Sequence, residues 1–421
     1  MTTRERLRAI LGGSAGHLVE WYDWFAYSSF ALYFADAFFP KGDQTAQLLQ
    51  SAAVFAIGFL ARPIGAWAMG LYADRAGRRP ALALSVAMMC LGSFVIAVTP
   101  GFAEIGMAAP SILLAARVLQ GLSVGGEYGA SATYISEIAG RAGRGFWSSF
   151  LYVTLIGGQL IALCVLLLLQ NVMSTEALQA WGWRIPFAIG GVMAIVVYWI
   201  RTGISESASF KNRRGEPART IQLFRDHPRE VLMVLGLTAG GALSFYAYTT
   251  YMQKFLVNTS GFTKDEAAEV TALALVCFML AQPVFGWLSD RFGRKPMLIA
   301  AFGLNTALAY PLFSAIEAAR EVADVQVLVL APLLILSAYT SISAVVKAEL
   351  FPAHIRALGV ALPFSLANAI FGGTAEYSAL WFKQAGLEHG FYIYVTGVSA
   401  IALAAAVCMR DTKHESLIRE D

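Results

Sequence analysis

The chain has 421 residues, of which 57% are hydrophobic and 14% are charged, and its mean hydropathy is +0.59. A soluble domain carries about 25% charged residues, so this composition excludes a soluble globular protein and indicates many membrane spans of about 20 residues each. The net charge of +3 is too small to suggest a nucleic-acid partner.

Hydrophobic segments predict an all-α membrane protein with twelve transmembrane helices. The short basic amino terminus shows no cleavage signal before the first span, so we expect that span to be retained. With the amino terminus in the cytoplasm, the cytoplasmic loops contain most of the lysines and arginines, as the positive-inside rule requires. Both termini are therefore predicted to be cytoplasmic. The predicted spans cover residues 10–36, 46–72, 80–99, 108–137, 145–169, 183–203, 229–257, 265–289, 296–316, 325–348, 357–383 and 390–409.

The first predicted helix carries a stripe of polar side chains about 120° wide. The stripe consists of His17, Glu20, Asp23 and Tyr27. Ionisable groups within a span usually line a water-filled path or pair with one another. We therefore expect His17, Glu20 and Asp23 to take part in proton coupling. A purely structural buried network is the alternative.

Two arginines fall inside predicted spans. Arg62 lies roughly a third of the way from the inner end of helix 2, so it either faces the pore or extends to the inner headgroups. Arg117 in helix 4 lies too deep to reach the headgroups easily, and it shares a helix face with Gln120 and Tyr128. We expect Arg117 to line the pore, whereas Glu127, about 80° off that face, is expected to be a structural partner.

A loop between helices 2 and 3 recurs between helices 8 and 9, about half a chain further on. Its glycines permit close helix packing or a positive φ, and its arginines suit the cytoplasmic headgroups. The same loop twice indicates a duplicated transporter. The matched residues that we expect to control conformational exchange are Gly70, Asp74, Arg75, Gly77 and Arg78 in the first copy and Gly286, Asp290, Arg291, Gly293 and Arg294 in the second.

Hydrophobicity falls sharply between residues 205 and 228, a segment that contains several arginines. We interpret this segment as a cytoplasmic linker. It would join an amino-terminal six-helix bundle at 1–204 to a carboxyl-terminal six-helix bundle with a short tail at 229–421. Two pseudo-symmetric bundles of this kind rock against each other around a central site in alternating access.

The carboxyl-terminal half adds polar side chains within predicted spans. Lys254, close to the outer end of helix 7, either contacts a ligand or extends to the headgroups. Ser343 and Lys347 are i, i+4 neighbours on helix 10. The substrate-binding residues that we expect from this half are Tyr246, Thr249, Gln253, Lys254, Ser343, Lys347 and Asn368.

The sequence predicts neither a metal site nor a disulfide framework. The four cysteines all fall within predicted spans, and the five histidines are scattered, so no cofactor is expected. An intramembrane enzyme or a transporter-like sensor is the rival class. An enzyme would require a metal cluster or a nucleophile–base pair, and a sensor would require an added cytoplasmic domain. Neither feature is apparent.

These motifs resemble the major facilitator superfamily, whose loop signature matches residues 70–79 and 286–295. Within it, residues 20–23 and 62–65 are similar to the metabolite:proton symporter branch. The similarity is closest to bacterial 2-oxoglutarate permeases and runs essentially end to end. It rests on residues 123–129, 181–187, 249–254, 340–343, 347–352 and 368–377.

The resemblance implies proton-coupled import of 2-oxoglutarate across a bacterial inner membrane. It departs at His17, where the branch usually has asparagine. A symporter of another organic acid, such as citrate or shikimate, and a carrier of a zwitterionic osmolyte are the alternatives. The expected partners are an organic anion, protons and membrane lipids, with the protein as a monomer.

The chemistry of the residues agrees with this implication. A dicarboxylate has two anionic ends, and cations on opposing halves, Arg62 or Arg117 against Lys347, would hold one end each. Asp23 is then the expected proton carrier, with Glu20 as the alternative. Arg117 is the expected switch, pairing with the acid when no substrate is bound.

Overall fold

The structure of the protein is a computed structural model. It describes residues 3–76, 78–124, 131–133, 135–136, 139–140, 143–202, 220–353, 355–413 and 416–418. For the helical residues 3–16, 70–71, 73–76, 78–82, 124, 197–198, 200–202 and 221 it describes the backbone alone. Regular structure within these ranges is helical. A helix satisfies most of its backbone hydrogen bonds inside its own segment, as a lipid environment demands.

Six long helices form the first half of the bundle. Two short elements, at Phe102–Ile105 and Thr175–Ala177, and a π-helical turn at Leu178–Gly182 lie in the loops between them. The long helices are α1 (Thr3–Phe38), α2 (Gln44–Ala76), α3 (Arg78–Val98), α4 (Ala108–Val124), α5 (Arg144–Val172) and α6 (Arg184–Thr202).

The second half contains six further segments, preceded by a short helix at Thr220–Asp226. Three of them are continuous: α8 (Lys264–Phe292), α9 (Arg294–Ala318) and α12 (Glu388–Cys408). The other three are interrupted: α7 (Pro228–Tyr248, Met252–Phe255 and a π-helical turn at Leu256–Ser260), α10 (Val322–Thr340 and Ser343–Glu349) and α11 (Arg356–Ala367, a π-helical turn at Asn368–Gly372 and Ala375–Gln384).

The twelve predicted spans are confirmed by this arrangement. Among the described residues, eight helices are long and apolar enough to cross a membrane, and three shorter apolar helices correspond to α3, α4 and α6. The remaining span is α1, whose hydrophobicity is lowered by its ionisable residues. The predicted boundaries agree with the observed ones to within a few residues, with two exceptions. Helix α1 begins at Thr3 rather than near residue 10, and α4 is described as far as Val124, so its predicted end at residue 137 lies outside the described residues.

The sequence predicted continuous helices where α7, α10 and α11 are interrupted, and this part of the prediction was wrong. In α7 the hydroxyl of Thr249 donates to the carbonyl of Phe245 at 2.7 Å, and the N–H of Tyr251 donates to the carbonyl of Tyr246 at 2.9 Å. Runs of serine and threonine offer the backbone such alternative partners and weaken the helical ladder. Interrupted helices of this kind commonly surround transport sites.

The pairing of helices is the same in the two halves. In the first half α1 packs on α5 and α6, α2 on α4, and α3 on α4 and α6. In the second half α7 packs on α11 and α12, α8 on α10, and α9 on α10 and α12. Each pair recurs six helices later, as a duplicated chain requires. The proposed linker at 205–228 lies largely outside the described residues, so the domain boundaries stay a prediction.

Two helix pairs make the most extensive contacts between the halves among the described residues. Helix α5 packs on α8 at the end of the bundle where the predicted cytoplasmic loops lie, which we term the inner end. Helix α2 packs on α11 closer to the opposite, outer end. At that end Lys264 of α8 donates to the carbonyl of Leu32 of α1 at 2.8 Å. The interior between these contacts is where the polar side chains of both halves converge.

Candidate functional site

Seven lysine and arginine side chains are buried in the described part of the chain. Arg144, Arg294 and Arg356 are each the first residue of a helix, and the other four lie inside the bundle. Arg62 of α2 is 6% exposed, and Arg117 of α4, Lys254 of α7 and Lys347 of α10 are 0% exposed. A charge removed from water is costly unless it is paired or meets a ligand. The surroundings of these four cations therefore define the candidate site.

Arg62 and Arg117 both lie against the indole of Trp24. The guanidinium carbon of Arg62 is 4.1 Å from the Trp24 ring centroid and 3.9 Å from that of Phe59. The guanidinium carbon of Arg117 is 3.9 Å from the Trp24 ring and 4.5 Å from that of Tyr27. Aromatic faces stabilise a desolvated cation without using its hydrogen-bond donors. The alternative that Arg62 extends to the headgroups is wrong, because its charged end is enclosed by these rings.

Both guanidinium groups keep donors for a further partner. Within the residues that the structure describes, Nε and Nη2 of Arg62 and Nε and Nη2 of Arg117 have no hydrogen-bond partner. Buried donors are almost always satisfied in proteins, so a pair of this kind marks a place where a ligand or water belongs. A planar guanidinium is well matched to a carboxylate.

Asp23 is fully buried beside Arg117 but does not contact it directly. The Asp23 carboxylate accepts hydrogen bonds from the hydroxyl of Ser93 and, at 2.6 Å, from the amide of Gln120. Gln120 in turn accepts from Nη1 of Arg117 at 2.8 Å. The expected direct pairing of Arg117 with the acid is thus corrected to a pairing relayed by Gln120. Helix α6 approaches closely at Gly190, where a Cβ would lie 2.5 Å from Oδ1 of Asp23.

His17 and Glu20 face other partners than Asp23 does. The indole N–H of Trp21 donates to Nε2 of His17 at 2.8 Å, and Nδ1 of His17 lies 3.3 Å from the hydroxyl of Thr154. Because Nε2 accepts, the ring is neutral in this arrangement and carries its proton on Nδ1. Glu20 is buried and within electrostatic range of Arg62. The predicted stripe therefore divides between two neighbourhoods.

Tyr246 and Asn368 bring the second half to Arg62. The Tyr246 ring centroid is 5.3 Å from that of Phe59, and Tyr246 interacts with both Arg62 and Asn368. These contacts join α2 to the interrupted helices α7 and α11. Two of the predicted substrate residues of the second half, Tyr246 and Asn368, thus lie near Arg62, a predicted substrate residue of the first half.

Thr249 and Gln253 lie on the same interrupted helix, α7, but they differ in whether their side-chain hydrogen-bond donors are free to contact a ligand. The hydroxyl of Thr249 is already donated to its own helix at Phe245. Gln253 is 3% exposed, and its side-chain nitrogen has no hydrogen-bond partner in the described part of the chain. Gln253 is accordingly the better hydrogen-bond donor for a ligand.

Lys254 forms an ion pair with Glu376 of α11 inside the protein. Its ammonium is 2.8 Å from Oε2 of Glu376 and donates to the hydroxyl of Ser28 at 2.6 Å. Ser28, on α1, also donates to Oε2 of Glu376 at 3.1 Å. The alternative that Lys254 extends to the headgroups is wrong, since it is completely enclosed. Ser28 and the role of Glu376 were missed from the sequence, although an intramembrane carboxylate is itself a signal.

Lys347 and Ser343 contact each other as their spacing predicts. The ammonium of Lys347 donates to the hydroxyl of Ser343 at 2.7 Å and lies 4.4 Å from the ring centroid of Phe364. These contacts belong to α10 and α11, both in the second half. Lys254, by contrast, bonds across to α1.

The second copy of the repeated loop lies at the contact between the halves. Asp290 accepts from the N–H groups of Gly145 and Phe146 at 2.8 and 2.9 Å, and from Arg294 at 2.8 Å. An aspartate on the free N–H groups at a helix start is stabilising, here for α5 of the other half. At Gly286 a Cβ would lie 2.5 Å from the carbonyl oxygen of Gly145.

Two predictions for this loop are confirmed in the second copy. Gly286 makes a close approach to the backbone of α5, and Gly293 has a φ of +104°. Arg291 uses its carbonyl to accept from Lys413 at 2.9 Å. In the first copy, Gly70, Asp74, Arg75, Gly77 and Arg78 lie outside the residues whose side chains are described. The role of both copies in conformational exchange stays a prediction.

A tail segment after α12 covers the inner end. The hydroxyl of Thr412 donates to Glu349 at 2.6 Å, and the N–H of Leu417 donates to the carbonyl of Glu349 at 3.1 Å. Arg144, at the start of α5, donates to the carbonyl of Ile418 at 3.4 Å and lies 4.0 Å from the Glu349 carboxylate. The tail segment thus bonds to both halves.

The described residues include no group of three or more histidine, cysteine or acidic side chains arranged to hold a metal. The four cysteines are free thiols. The chemistry that these residues offer is charge pairing and hydrogen bonding, which suits binding and proton movement.

Comparison with known proteins gives concordant matches. The family model described as "Sugar (and other) transporter" matches residues 9–221 and again 206–420. The chain is 50% identical over 407 residues to the alpha-ketoglutarate permease of Escherichia coli, covering 97% of this chain and 94% of that one. It is 33% identical over 370 residues to a citrate-proton symporter of Klebsiella pneumoniae, covering 87% and 83%. Among solved structures it matches the proton:xylose symporter XylE with a TM-score of 0.77 at 20% identity, covering 100% of this chain and 99% of that one.

Proposed function

Because the chain belongs to the major facilitator superfamily, in its family of sugar and other transporters, we propose that it is a proton-coupled symporter that imports 2-oxoglutarate. It is a multi-pass membrane transporter and not an enzyme. The proposed location is a bacterial inner membrane with both termini cytoplasmic, and the proposed functional unit is the monomer. The similar permease, named for the same acid, supports the choice of substrate.

The observation that carries the proposal is the pair of buried guanidinium groups with unpartnered donors. Arg62 and Arg117 come from the first half and both lie against Trp24, and Arg62 also interacts with Tyr246 of the second half. One carboxylate of 2-oxoglutarate would occupy this pair, since bidentate contacts to a carboxylate are strong in a site shielded from water. A neutral or zwitterionic ligand would leave much of this positive charge uncompensated.

The second carboxylate would meet a buried lysine of the second half. Lys347, which is bonded to Ser343, and Lys254 are the two candidates. Gln253 and Asn368 would hydrogen-bond the keto oxygen, since both are buried amides near the interface between the halves. A monocarboxylate of similar length could fill only one of the two cationic positions.

Proton coupling is proposed to run through Asp23, with Glu20 as the alternative carrier. A substrate carboxylate on the unpartnered donors of Arg117 would offset the charge of that guanidinium. The Asp23 carboxylate would then be less well stabilised and would take a proton. Substrate and proton would promote each other's binding, as reciprocal linkage requires. His17, neutral and held by Trp21, would tune this region rather than carry the proton.

The test is counterflow in proteoliposomes that contain the purified protein. Labelled 2-oxoglutarate is exchanged against a panel of citrate, shikimate, pyruvate and glycine betaine, with and without a pH gradient. We expect 2-oxoglutarate to compete best and a gradient that is acid outside to drive its accumulation. Citrate or shikimate competing better would replace the substrate within the same scheme. Pyruvate or betaine competing equally well would refute the dicarboxylate site.

A further inference from the structure

A second unit of cation and carboxylate is buried in the protein, apart from the Arg117–Gln120–Asp23 relay. The side chains of Lys254 and Glu376 are 0% and 3% exposed and are 2.8 Å apart. A buried ion pair is weak support for stability, because pairing barely offsets the loss of hydration. Ionisable groups inside a span more often mark the path of a substrate or proton.

This unit spans the interface between the two halves. Ser28 lies on α1, whereas Lys254 and Glu376 lie on α7 and α11, and each of the latter bonds to Ser28. Any opening of the outer end must separate α1 from α7 and α11. Separation removes the Ser28 hydroxyl from both charges at once. Each charge then loses one of its hydrogen-bond partners, and the ion pair that remains within the second half faces the outer solution.

The two units are neighbours. The ring of Tyr27 lies 4.5 Å from the guanidinium carbon of Arg117, and Tyr27 is within electrostatic range of Glu376. A carbon chain with a carboxylate at each end is suited to bridge two such cations. Lys347, whose described contacts are with Ser343 and aromatic rings of the second half, is less directly placed for this.

The other ionisable groups around Glu376 come from every helix packed against it. Helix α7 contributes Lys254 and Tyr251, and α1 contributes Tyr27. Helix α12 contributes Glu388, which is in range of Tyr251, and the buried charge of α2 is Arg62. Lys254 is the cation in direct contact with Glu376, at 2.8 Å.

We infer that Glu376 is a second proton-carrying carboxylate and that Lys254 binds the second carboxylate of the substrate. This rests on the proposed function. When the outer end opens, a proton from outside adds to the Glu376 carboxylate and gives a neutral acid. Lys254 stays an ammonium and exchanges Glu376 for the substrate carboxylate. When substrate leaves at the inner end, Glu376 releases the proton there and pairs with Lys254 again.

Each end of the dicarboxylate then meets a cation that has a carboxylate near it, namely Asp23 near Arg117 and Glu376 beside Lys254. The number of protons that enter with each substrate is the quantity that distinguishes this scheme. Parallel traces of labelled 2-oxoglutarate and an internal pH dye in proteoliposomes measure it. Glu376→Gln should lower the number by about one while keeping counterflow within about threefold, because the neutral amide mimics the protonated acid. Lys254→Met should lower counterflow at least about tenfold.

Glu388→Gln is the matched control. Like Glu376, Glu388 is an acidic residue at the outer end of the second half, where it bonds to Thr259 and pairs with Lys383. Its proton number should equal that of the unaltered protein. An unchanged proton number in Glu376→Gln would overturn the inference. So would full recovery of coupled transport in the Lys254→Met/Glu376→Gln double variant, because that result assigns the pair a structural role.

A second measurement tests the inference independently, in case Glu376→Gln fails to fold. Acidifying the protein in lipid should produce an infrared band of a protonated carboxyl group, and the conservative Glu376→Asp should shift its frequency. A band unmoved by Glu376→Asp would refute the inference. If the unaltered protein does not transport 2-oxoglutarate but exchanges another anion, the proposed function is wrong. The number of protons per substrate is then measured with that anion. If coupling in Glu376→Gln is normal while 2-oxoglutarate is transported, the inference alone fails.

Discussion

Arg117 is connected to Asp23 through one side-chain amide. Gln120 donates to the carboxylate at 2.6 Å and accepts from the guanidinium at 2.8 Å, and all three groups are fully buried. The relay lets a change at Arg117 reach the acid without direct contact between the two charges. Because Gln120 also donates to Ser93 at 3.0 Å, its orientation is fixed on both sides.

Gln120→Leu should uncouple substrate from proton while keeping exchange. The variant removes two hydrogen bonds to buried charges, each an interaction of about 1.5–3 kcal/mol, and leaves Arg117 and Asp23 independent. Counterflow should persist, and accumulation driven by a pH gradient should fall. Gln170→Leu is the control, since Gln170 donates to Tyr33 at 2.7 Å away from the relay. Equal accumulation by the two variants would remove the relay from the mechanism.

Asp23→Asn should cost the carrier one coupled proton. Each proton adds about 1.36 kcal/mol of driving force per pH unit, so steady accumulation at a gradient of one pH unit should fall about tenfold. Exchange of substrate without a gradient should continue. Glu20→Gln is the comparison, and it should behave as the unaltered protein does. If neither variant lowers accumulation, the proton site is not on α1.

Arg62→Ala and Arg117→Ala should each weaken 2-oxoglutarate binding by about 2–5 kcal/mol, because one carboxylate is left without its charged partner in a desolvated site. Arg62→Lys keeps the charge but loses the planar guanidinium, so its affinity should lie between that of the unaltered protein and that of Arg62→Ala. Calorimetric Kd values check this order. Arg184→Ala is the control, since Arg184 bonds to the carbonyls of Ala97 and Thr99 outside the site. Near-normal binding in Arg62→Ala would move the carboxylate site elsewhere.

Asp290→Asn and Gly286→Val should impair closure of the inner end while leaving equilibrium affinity largely intact. The first weakens the contacts of Asp290 with Arg294 and with the start of α5, and the second places side-chain atoms against the carbonyl of Gly145. Spin-label distances between the inner ends of α5 and α8 should lengthen in both. Gly303→Ala is a control, since a Cβ there meets an ordinary contact with Leu403 at 3.9 Å. A large loss of affinity would contradict this division of roles.

The features that the sequence predicted are those that depend on local pattern. Apolar runs long enough to span lipid gave the twelve helices, because a lipid environment permits few other backbone structures. The repeated loop predicted the close approach at Gly286 and the positive φ at Gly293, since each is a requirement that glycine meets.

The features that the sequence did not predict depend on which distant groups meet. Glu376 is 122 residues from Lys254 and 348 residues from Ser28, and Gln120 is 97 residues from Asp23. Depth in a span can be estimated from position along a helix, but the side that faces the protein interior cannot be fixed so closely. That is why extension to the headgroups was a reasonable alternative for Lys254 and was wrong.

The bonds of the tail segment have a consequence for biosynthesis. Arg144 precedes its acceptor Ile418 by 274 residues, and Glu349 is bonded by Thr412 and Leu417. Arg144 leaves the ribosome long before the tail segment is synthesised. The helices of both halves therefore enter the membrane before these bonds can form. Completion of the inner end is therefore timed by translation of Thr412, Leu417 and Ile418 rather than by insertion of the helices.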